Sequence, residues 1–120
     1  NDLHGHLAGD LVLRETAARI TSGLRTYDSV GRYGGEEFLI VLPGCDQEYG
    51  FNSVERLRRE FDSNQLITSE GSYNITLSFG VVAVEPAANY GVDEIVAAAD
   101  EALYRAKGAG RNRVEFSTLP

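Results

Sequence analysis

The sequence has very little cysteine and no long apolar run. Cys45 is the only cysteine among 120 residues, so an intrachain disulfide is excluded and a reducing, cytoplasmic setting is predicted. No stretch is long and apolar enough to cross a bilayer, and no secretory signal is recognisable, so direct membrane contact and export are not expected. Because 42% of the residues are hydrophobic, the composition suits one domain with one core.

Positive charge is also scarce. The chain has 11 Lys and Arg against 18 Asp and Glu, for a net charge of −7. This balance argues against non-specific binding to DNA, RNA or an anionic membrane. The basic residues are nevertheless clustered near residues 25–32, 56–59 and 105–113. Such clusters suit a small phosphate ligand, especially one accompanied by a divalent metal.

Three helices are predicted from apolar residues at helical spacing. The markers are Leu13, Ala17, Ile20 and Leu24 for the first helix, Phe51, Val54, Leu57 and Phe61 for the second, and Val92, Ile95, Ala99 and Leu103 for the third. The first helix is expected over roughly residues 10–25, with Asp10 as its N-cap or first-turn acid and a loop before it. Gly108 and Gly110 are expected to end the third helix.

Strands are predicted between these helices, at residues 30–33, 38–42, about 75–81 and 114–116. Gly34 and Gly35 favour a tight hairpin turn between the first two strands. The run FLIVL is typical of a strand that is covered on both faces, and residues 62–73 are polar, contain glycine and are assigned no helix or strand. Interleaved helices and strands indicate an α/β or α+β sandwich.

The segment RYGGEEF places two acids beside the glycine turn. Glu36 and Glu37 would point to opposite faces of an extended strand, so they cannot form one acid pair. Either carboxylate could bind Mg²⁺ together with substrate phosphates, and Gly34 and Gly35 would let a nucleotide approach the backbone. Taken alone, the motif favours the alternative of an acidic edge on an ordinary hairpin.

The opening segment NDLHGHLAGD carries polar groups suited to a nucleobase. Asn1 and Asp10 have side chains of the kind that read base edges. His4 and His6 lack a third ligand at a spacing that would suit zinc, so capping or packing roles are favoured for them.

Two further motifs have both a binding and a structural interpretation. Lys107 and Arg111 could converge on phosphate oxygens, or could complement the dipole at a helix C-terminus, and both can hold together. In RTYD, Arg25 and Asp28 could recognise a guanine. The alternative for RTYD is a weak surface ion pair.

Together these motifs resemble the GGDEF family, the diguanylate cyclases. The match runs from residue 1 to residue 112 through ND..GH..GD, RYGGEEF, LSFGV and AD.ALY.AK..GRN. The resemblance implies a palm-like nucleotidyl-cyclase fold, with a central, mainly antiparallel sheet flanked by helices. It also implies condensation of two GTP molecules into cyclic di-GMP and two pyrophosphates by a homodimer, downstream of a sensory or receiver domain.

The resemblance assigns a role to each motif residue. For the substrate, it implies guanine reading by Asn1 and Asp10, nucleotide contact at Gly34 and Gly35, and phosphate binding by Lys107 and Arg111. For catalysis, it implies that Glu36 binds Mg²⁺ (or Mn²⁺) and acts as the catalytic acid, with a supporting catalytic role for Glu37. For regulation, it implies product inhibition at Arg25 and Asp28, with Arg56 as an extra contact. An RxxD five residues before the signature is the family's inhibitory site. For Arg56, a solvated helix face is the favoured alternative.

The resemblance also implies a strand before Asn1 that carries a metal-binding aspartate and a nearby phosphate-binding lysine. Residues 1–120 are therefore expected to be a partial GGDEF domain without that first strand. A catalytically silent cyclic di-GMP receptor is the main alternative function. A dimerisation module without a ligand is a third, which would make all four motif matches coincidental.

Overall fold

The computed structural model describes residues 2–119, except for the side chains of residues 2–4 and 6. Helices and strands alternate, which confirms the predicted α/β class. The helices are α1 (Asp2–Ser22), α2 (Gln47–Ser63) and α3 (Val92–Gly108); the strands are β1 (Ser29–Gly34), β2 (Glu37–Val41), β3 (Leu66–Thr68), β4 (Gly71–Tyr73), β5 (Phe79–Val82) and β6 (Val114–Ser117). Within these described residues, no helix combines the length and apolar character that a membrane span requires.

Helix α1 begins earlier than its apolar pattern predicts. The predicted loop before Asp10 is wrong, because helix extends back to Asp2. Leu7, Gly9 and Asp10 are exposed, so these three residues give no apolar signal of a buried helix face. Once the helix is established around the buried Ile20, each added residue gains one hydrogen bond for fixing one residue, whereas the first turn fixes three residues for one bond. Asp10 is thus a residue within α1 and does not cap it.

Helices α2 and α3 lie where their periodicity predicts, and both have capped N-termini. The Asp46 carboxylate accepts a hydrogen bond of 2.8 Å from the Tyr49 amide at the start of α2, and Glu94 accepts one of 3.2 Å from the Gly91 amide at the start of α3. These bonds satisfy amides that the first helical turn leaves without a partner.

The strands of residues 2–119 pair as three two-stranded sheets. β1 and β2 form an antiparallel hairpin, β3 and β4 form a second antiparallel hairpin, and β5 pairs with β6 in parallel. Strands β3 and β4 lie within residues 62–73, to which the sequence pattern assigns no element. Of the strand predicted at residues 75–81, only the part from Phe79 onward pairs with another strand, as β5. Ile75 and Leu77, which precede it, pack against the core.

The core forms where α1 and α2 meet the β1–β2 and β3–β4 hairpins. Its fully buried members are Ile20, Leu57, Phe61 and Leu66. From the first hairpin, Val30, Phe38 and Ile40 pack against this cluster. The expectation that β2 is covered on both faces is wrong: Leu39 is 38% exposed and Val41 is 50% exposed. Only the alternate residues of β2 reach the core, as the pleat of a strand requires.

Helix α3 packs directly on the backbone of β5. A Cβ added at Gly80 would lie 2.2 Å from the Ala99 carbonyl oxygen and 2.3 Å from the Leu103 amide nitrogen. Only glycine allows this approach. The contact fixes the position of α3, whose C-terminal end carries Lys107.

Candidate active site

The acidic motif lies at the tip of the first hairpin. Gly34 pairs with Glu37, so the turn consists of Gly35 and Glu36, one residue later than the predicted Gly34-Gly35. Gly35 has φ +39°, a conformation that glycine adopts at little cost, and Arg32 donates a hydrogen bond to its carbonyl. Glu36 is exposed and has no hydrogen bond or ion pair with any described residue. Its carboxylate is therefore available to a ligand.

Glu37 is held differently from its neighbour. It is the first residue of β2, and its Oε2 accepts a hydrogen bond from Lys107 Nζ at 3.1 Å. Both side chains are about one-third exposed, at 36% and 32%, so the pair contributes less than about 1 kcal/mol to stability. Its importance is geometric, because it brings the end of α3 to the hairpin that carries Glu36.

The chain turns sharply after Lys107. The Arg111 amide donates to the Ala106 carbonyl at 2.9 Å, and Arg111 itself has φ +62°. Its guanidinium is exposed and contacts no partner among residues 2–119. Two cations that the sequence links to phosphate thus lie within five residues of each other, Lys107 in the last turn of α3 and Arg111 on the turn that follows, and Lys107 joins this end of α3 to the hairpin through Glu37.

Of the two residues predicted to read the guanine, the structure describes only Asp10. Asn1 lies outside the described residues. Asp10 is exposed on α1 and makes no hydrogen bond or ion pair within the described part of the chain. The side chains of His4 and His6 are likewise outside it.

The RTYD segment forms a fully engaged ion pair. Nε of Arg25 donates to both Oδ1 and Oδ2 of Asp28 at 3.1 Å, Nη2 donates to Oδ1 at 2.8 Å, and the Arg25 backbone amide donates to Oδ2 at 2.8 Å. Nη2 of Arg25 also donates to the Pro43 carbonyl at 3.0 Å, and Nη1 donates to the Tyr27 hydroxyl at 3.1 Å. The Asp28 side chain is only 1% exposed. This bidentate arrangement is stronger and more specific than a single surface contact.

Two aromatic rings flank the same guanidinium. Arg25 Cζ lies 4.5 Å from the centroid of the Tyr27 ring and 4.7 Å from that of Tyr49, which is within cation–π range. The hydrogen bonds from Arg25 lower the pKa of Asp28, and the bonds to Asp28 raise the pKa of Arg25. Neither tyrosine is predicted from the sequence as a contact of Arg25. Tyr27 stands within RTYD and has a local signal, whereas Tyr49 lies on α2 and has none.

Arg56 reaches the same end of the molecule from α2. Its Nη2 donates to the Gly23 carbonyl at 2.7 Å, two residues before Arg25. A surface depression of about 580 Å³ lies beside RTYD, with Thr21, Arg25 and Ser29 among its lining residues, and Arg56 does not line it. The fold therefore brings Arg56 near RTYD, as an extra contact at that site requires.

A metal would find a single available carboxylate at the hairpin tip. No cluster of three or more His, Cys, Asp or Glu side chains occurs in the described part of the chain. Glu36 fits Mg²⁺, because this ion is commonly bound by one or two carboxylates together with substrate phosphates. Lys107 and Arg111 are the residues that would hold such phosphates.

Comparison with known proteins identifies the family. The model of the family described as "Diguanylate cyclase, GGDEF domain" matches residues 1–113. The chain belongs to the GGDEF family. Diguanylate cyclase DgcZ of Escherichia coli K12 is 40% identical to this GGDEF chain over 116 residues, which cover 97% of the chain and 38% of DgcZ. The chain thus spans well under half the length of that curated relative.

Solved GGDEF structures share the fold. The GGDEF domain of DgcB from Caulobacter crescentus in complex with c-di-GMP has a TM-score of 0.82 and 33% identity, covering 97% of this chain and 68% of that one. The active GGEEF domain of a Vibrio cholerae diguanylate cyclase has a TM-score of 0.81 and 34% identity, covering 98% and 73%. These similarities confirm the mixed α/β fold expected for the family.

Proposed function

We propose that this GGDEF domain is the catalytic domain of a diguanylate cyclase, which condenses two GTP molecules into cyclic di-GMP in the cytoplasm. The observation that carries the proposal is the 3.1 Å contact between Glu37 and Lys107. It joins the two motifs that the reaction needs, across 70 positions of the sequence. Glu36 and Arg111 remain unpaired within the described chain beside this contact.

The basic turn after α3 suits the triphosphate. Lys107 and Arg111 would bind its oxygens, with the guanidinium able to make a bidentate contact. Gly34 and Gly35 leave open space where a side chain would stand, so a nucleotide could lie against this backbone. Asn1 and Asp10 are proposed to read the guanine, as the family resemblance implies.

Glu36 is proposed as the catalytic acid and metal ligand. A bound Mg²⁺ (or Mn²⁺) would supply neutralisation of phosphate charge and a lowered pKa for the attacking hydroxyl. Glu36, exposed at the tip, would hold that ion and favour deprotonation of the 3′-hydroxyl. The 3′-oxygen then forms a bond to the α-phosphorus of the second GTP while pyrophosphate leaves. Glu37 supports this arrangement by holding Lys107.

A homodimer follows from the chemistry. Each of the two phosphodiester linkages in cyclic di-GMP joins the 3′-oxygen of one nucleotide to the phosphate of the other, so two GTP molecules must face each other. One domain is proposed to bind one GTP, and two domains would bring their hairpin tips together. An upstream sensory or receiver domain in the full-length protein would then control activity by controlling dimerisation.

Product inhibition is proposed at RTYD, with Arg25, Asp28 and Arg56 as the binding residues. Cyclic di-GMP carries guanine edges and phosphates, which suit an arginine, a carboxylate and a second arginine. The nearby depression of about 580 Å³ offers space beside the pair. Binding would require Arg25 to exchange part of its contact with Asp28 for contacts with the ligand.

A cyclic di-GMP receptor without catalytic activity is the second candidate. The specific observation in its favour is that RTYD is a completely organised pair, whereas Glu36 is a lone carboxylate. The intact GGEEF favours the cyclase, because a receptor does not require Glu36.

Product analysis distinguishes the two candidates. The full-length protein is first freed of bound nucleotide, incubated with GTP and Mg²⁺ or Mn²⁺, and the nucleotides are separated by chromatography. We expect cyclic di-GMP and pyrophosphate. A folded, dimeric protein with an empty inhibitory site that forms no cyclic di-GMP would contradict the cyclase and leave the receptor.

A further inference from the structure

The turn after α3 contains three successive residues with positive φ. Gly110 has φ +121°, Arg111 +62° and Asn112 +48°. Glycine adopts such conformations readily, but a residue with a Cβ does so at a cost, and two non-glycine residues in succession are unusual. Contacts with the surrounding structure must therefore stabilise the positive-φ conformations of Arg111 and Asn112.

Asn112 is the residue that makes the holding contacts. Its backbone amide donates to Ser78 Oγ at 3.0 Å, and its side-chain Nδ2 donates to Asp62 Oδ1 at 3.1 Å. Its Oδ1 accepts from Arg58 Nη1 at 3.1 Å. One asparagine thus ties the turn to α2 and to the segment before β5. Asparagine also tolerates positive φ better than most residues.

The partner on α2 is itself fixed. Arg58 donates from Nε and Nη2 to Glu55, and this bonding lowers the pKa of Glu55 and raises that of Arg58. The Arg58 side chain is only 18% exposed. Arg58 is thus held in place by Glu55, and Asn112 connects the turn to α2 through its hydrogen bond with Arg58.

The neighbouring Arg111 shows the opposite situation. Its backbone is held by the 2.9 Å bond to Ala106, while its exposed guanidinium has no partner in the described chain. We propose that Asn112 is a positioning residue, which fixes the left-handed turn so that Arg111 is presented to the GTP phosphates beside Lys107. This inference rests on the proposed cyclase function and adds to it the element that orders the phosphate-binding turn.

The test uses the full-length protein with Asn112→Ala, Asn112→Gly and a matched control, Asn64→Ala. Alanine removes both side-chain hydrogen bonds and disfavours positive φ, whereas glycine removes the bonds but permits the conformation. Asn64 also makes a side-chain hydrogen bond at the end of α2, from Nδ2 to the Glu60 carbonyl at 2.9 Å, away from the turn.

Two measurements are needed: amide hydrogen exchange in a peptide spanning residues 106–113, and kcat and KM for GTP. We expect Asn112→Ala to accelerate exchange and to raise KM about tenfold, with a smaller change in kcat. Asn112→Gly should raise KM less, and Asn64→Ala should match wild type. Asn112→Gly also provides the test if the alanine variant does not fold.

The outcomes separate this inference from the function on which it rests. If exchange is faster in Asn112→Ala but KM equals the wild-type value, the positioning role is overturned while the cyclase function stands. An unchanged exchange rate overturns it as well, because the turn would then not depend on Asn112. A wild-type protein that makes no cyclic di-GMP overturns the proposed function and this inference together.

Discussion

The RTYD turn and the GGEE tip both carry charged motifs, but the fold pairs both charges of RTYD with each other, whereas at the tip it pairs Glu37 with Lys107 and leaves Glu36 unpaired within residues 2–119. Arg25 and Asp28 neutralise each other through a bidentate contact, and Asp28 is almost fully buried. At the other site, Glu36 and Arg111 are exposed and have no partner among the described residues. A ligand at the tip can use these charges directly, whereas a ligand at RTYD must first displace existing bonds.

This difference suits a substrate site and a regulatory site. Charge that is left unpaired in the free protein is available to bind substrate and to stabilise the transition state. Charge that is already paired gives binding only as an exchange of one set of hydrogen bonds for another. The predictions below test whether the tip is the catalytic region and RTYD the regulatory one.

The largest expected effect is at the tip. Glu36→Gln keeps the shape of the side chain but removes its negative charge, so we expect cyclic di-GMP formation to fall by about 10³-fold. Initial rates in the full-length protein measure this. Glu48→Gln changes an exposed glutamate at the start of α2 and should retain full activity. Comparable rates for both variants would place the catalytic acid elsewhere.

The next effect concerns the support of the basic turn. Gly80→Ala would force a Cβ against the backbone of α3, so we expect a loss of about 3 kcal/mol in the free energy of unfolding. Urea denaturation measures this value. Gly31→Ala is the matched control, because a Cβ on that strand glycine meets nothing within 4 Å. Equal stability of the two variants would mean that α3 does not pack on β5 at Gly80.

A smaller effect is expected at RTYD. Arg25→Ala removes the guanidinium proposed to contact the product, so we expect the affinity for cyclic di-GMP to fall about tenfold. Calorimetric titration of the full-length protein measures it. Arg14→Ala, on the exposed side of α1, should bind as wild type does. Unchanged affinity in Arg25→Ala would eliminate RTYD as the inhibitory site.

The smallest effect is in the pH dependence of stability. Arg25 lowers the pKa of Asp28 below its ordinary value of 3.8, so the folded protein keeps this carboxylate ionised where the unfolded chain begins to bind a proton. The stabilisation is therefore present above about pH 4 and is lost as pH falls through the lowered pKa. Arg25 stays protonated throughout this range, since its pKa is raised.

Thermal unfolding of wild type and Asp28→Asn from pH 7 to pH 2.5 provides the measurement. The variant should be less stable at pH 7, and the difference in Tm should shrink as the pH falls below 4. A constant difference in Tm over this range would show that the ionised form of Asp28 is not what stabilises the turn.

Much of the fold could be predicted because its signals are local. The apolar spacing of α2 and α3 and the glycines of the first hairpin act within a few residues of one another. The errors lie where local signals are weak. At the start of α1, Leu7, Gly9 and Asp10 are exposed, and the β3–β4 hairpin has only three residues in each strand, with Leu66 buried in the core. The hairpin turn falls one residue later than predicted, which moves Glu36 from the strand to the tip.

The sequence by itself determined the family, the α/β class and the residue types of each motif, because these depend on order and spacing along the chain. Only the tertiary structure decided which charges meet. Lys107 meets Glu37 across 70 positions, Tyr49 of α2 places its ring within cation–π range of Arg25, and Asn112 bonds to Arg58 across 54 positions. Such contacts depend on the packing of distant elements, and no local pattern of residues encodes them.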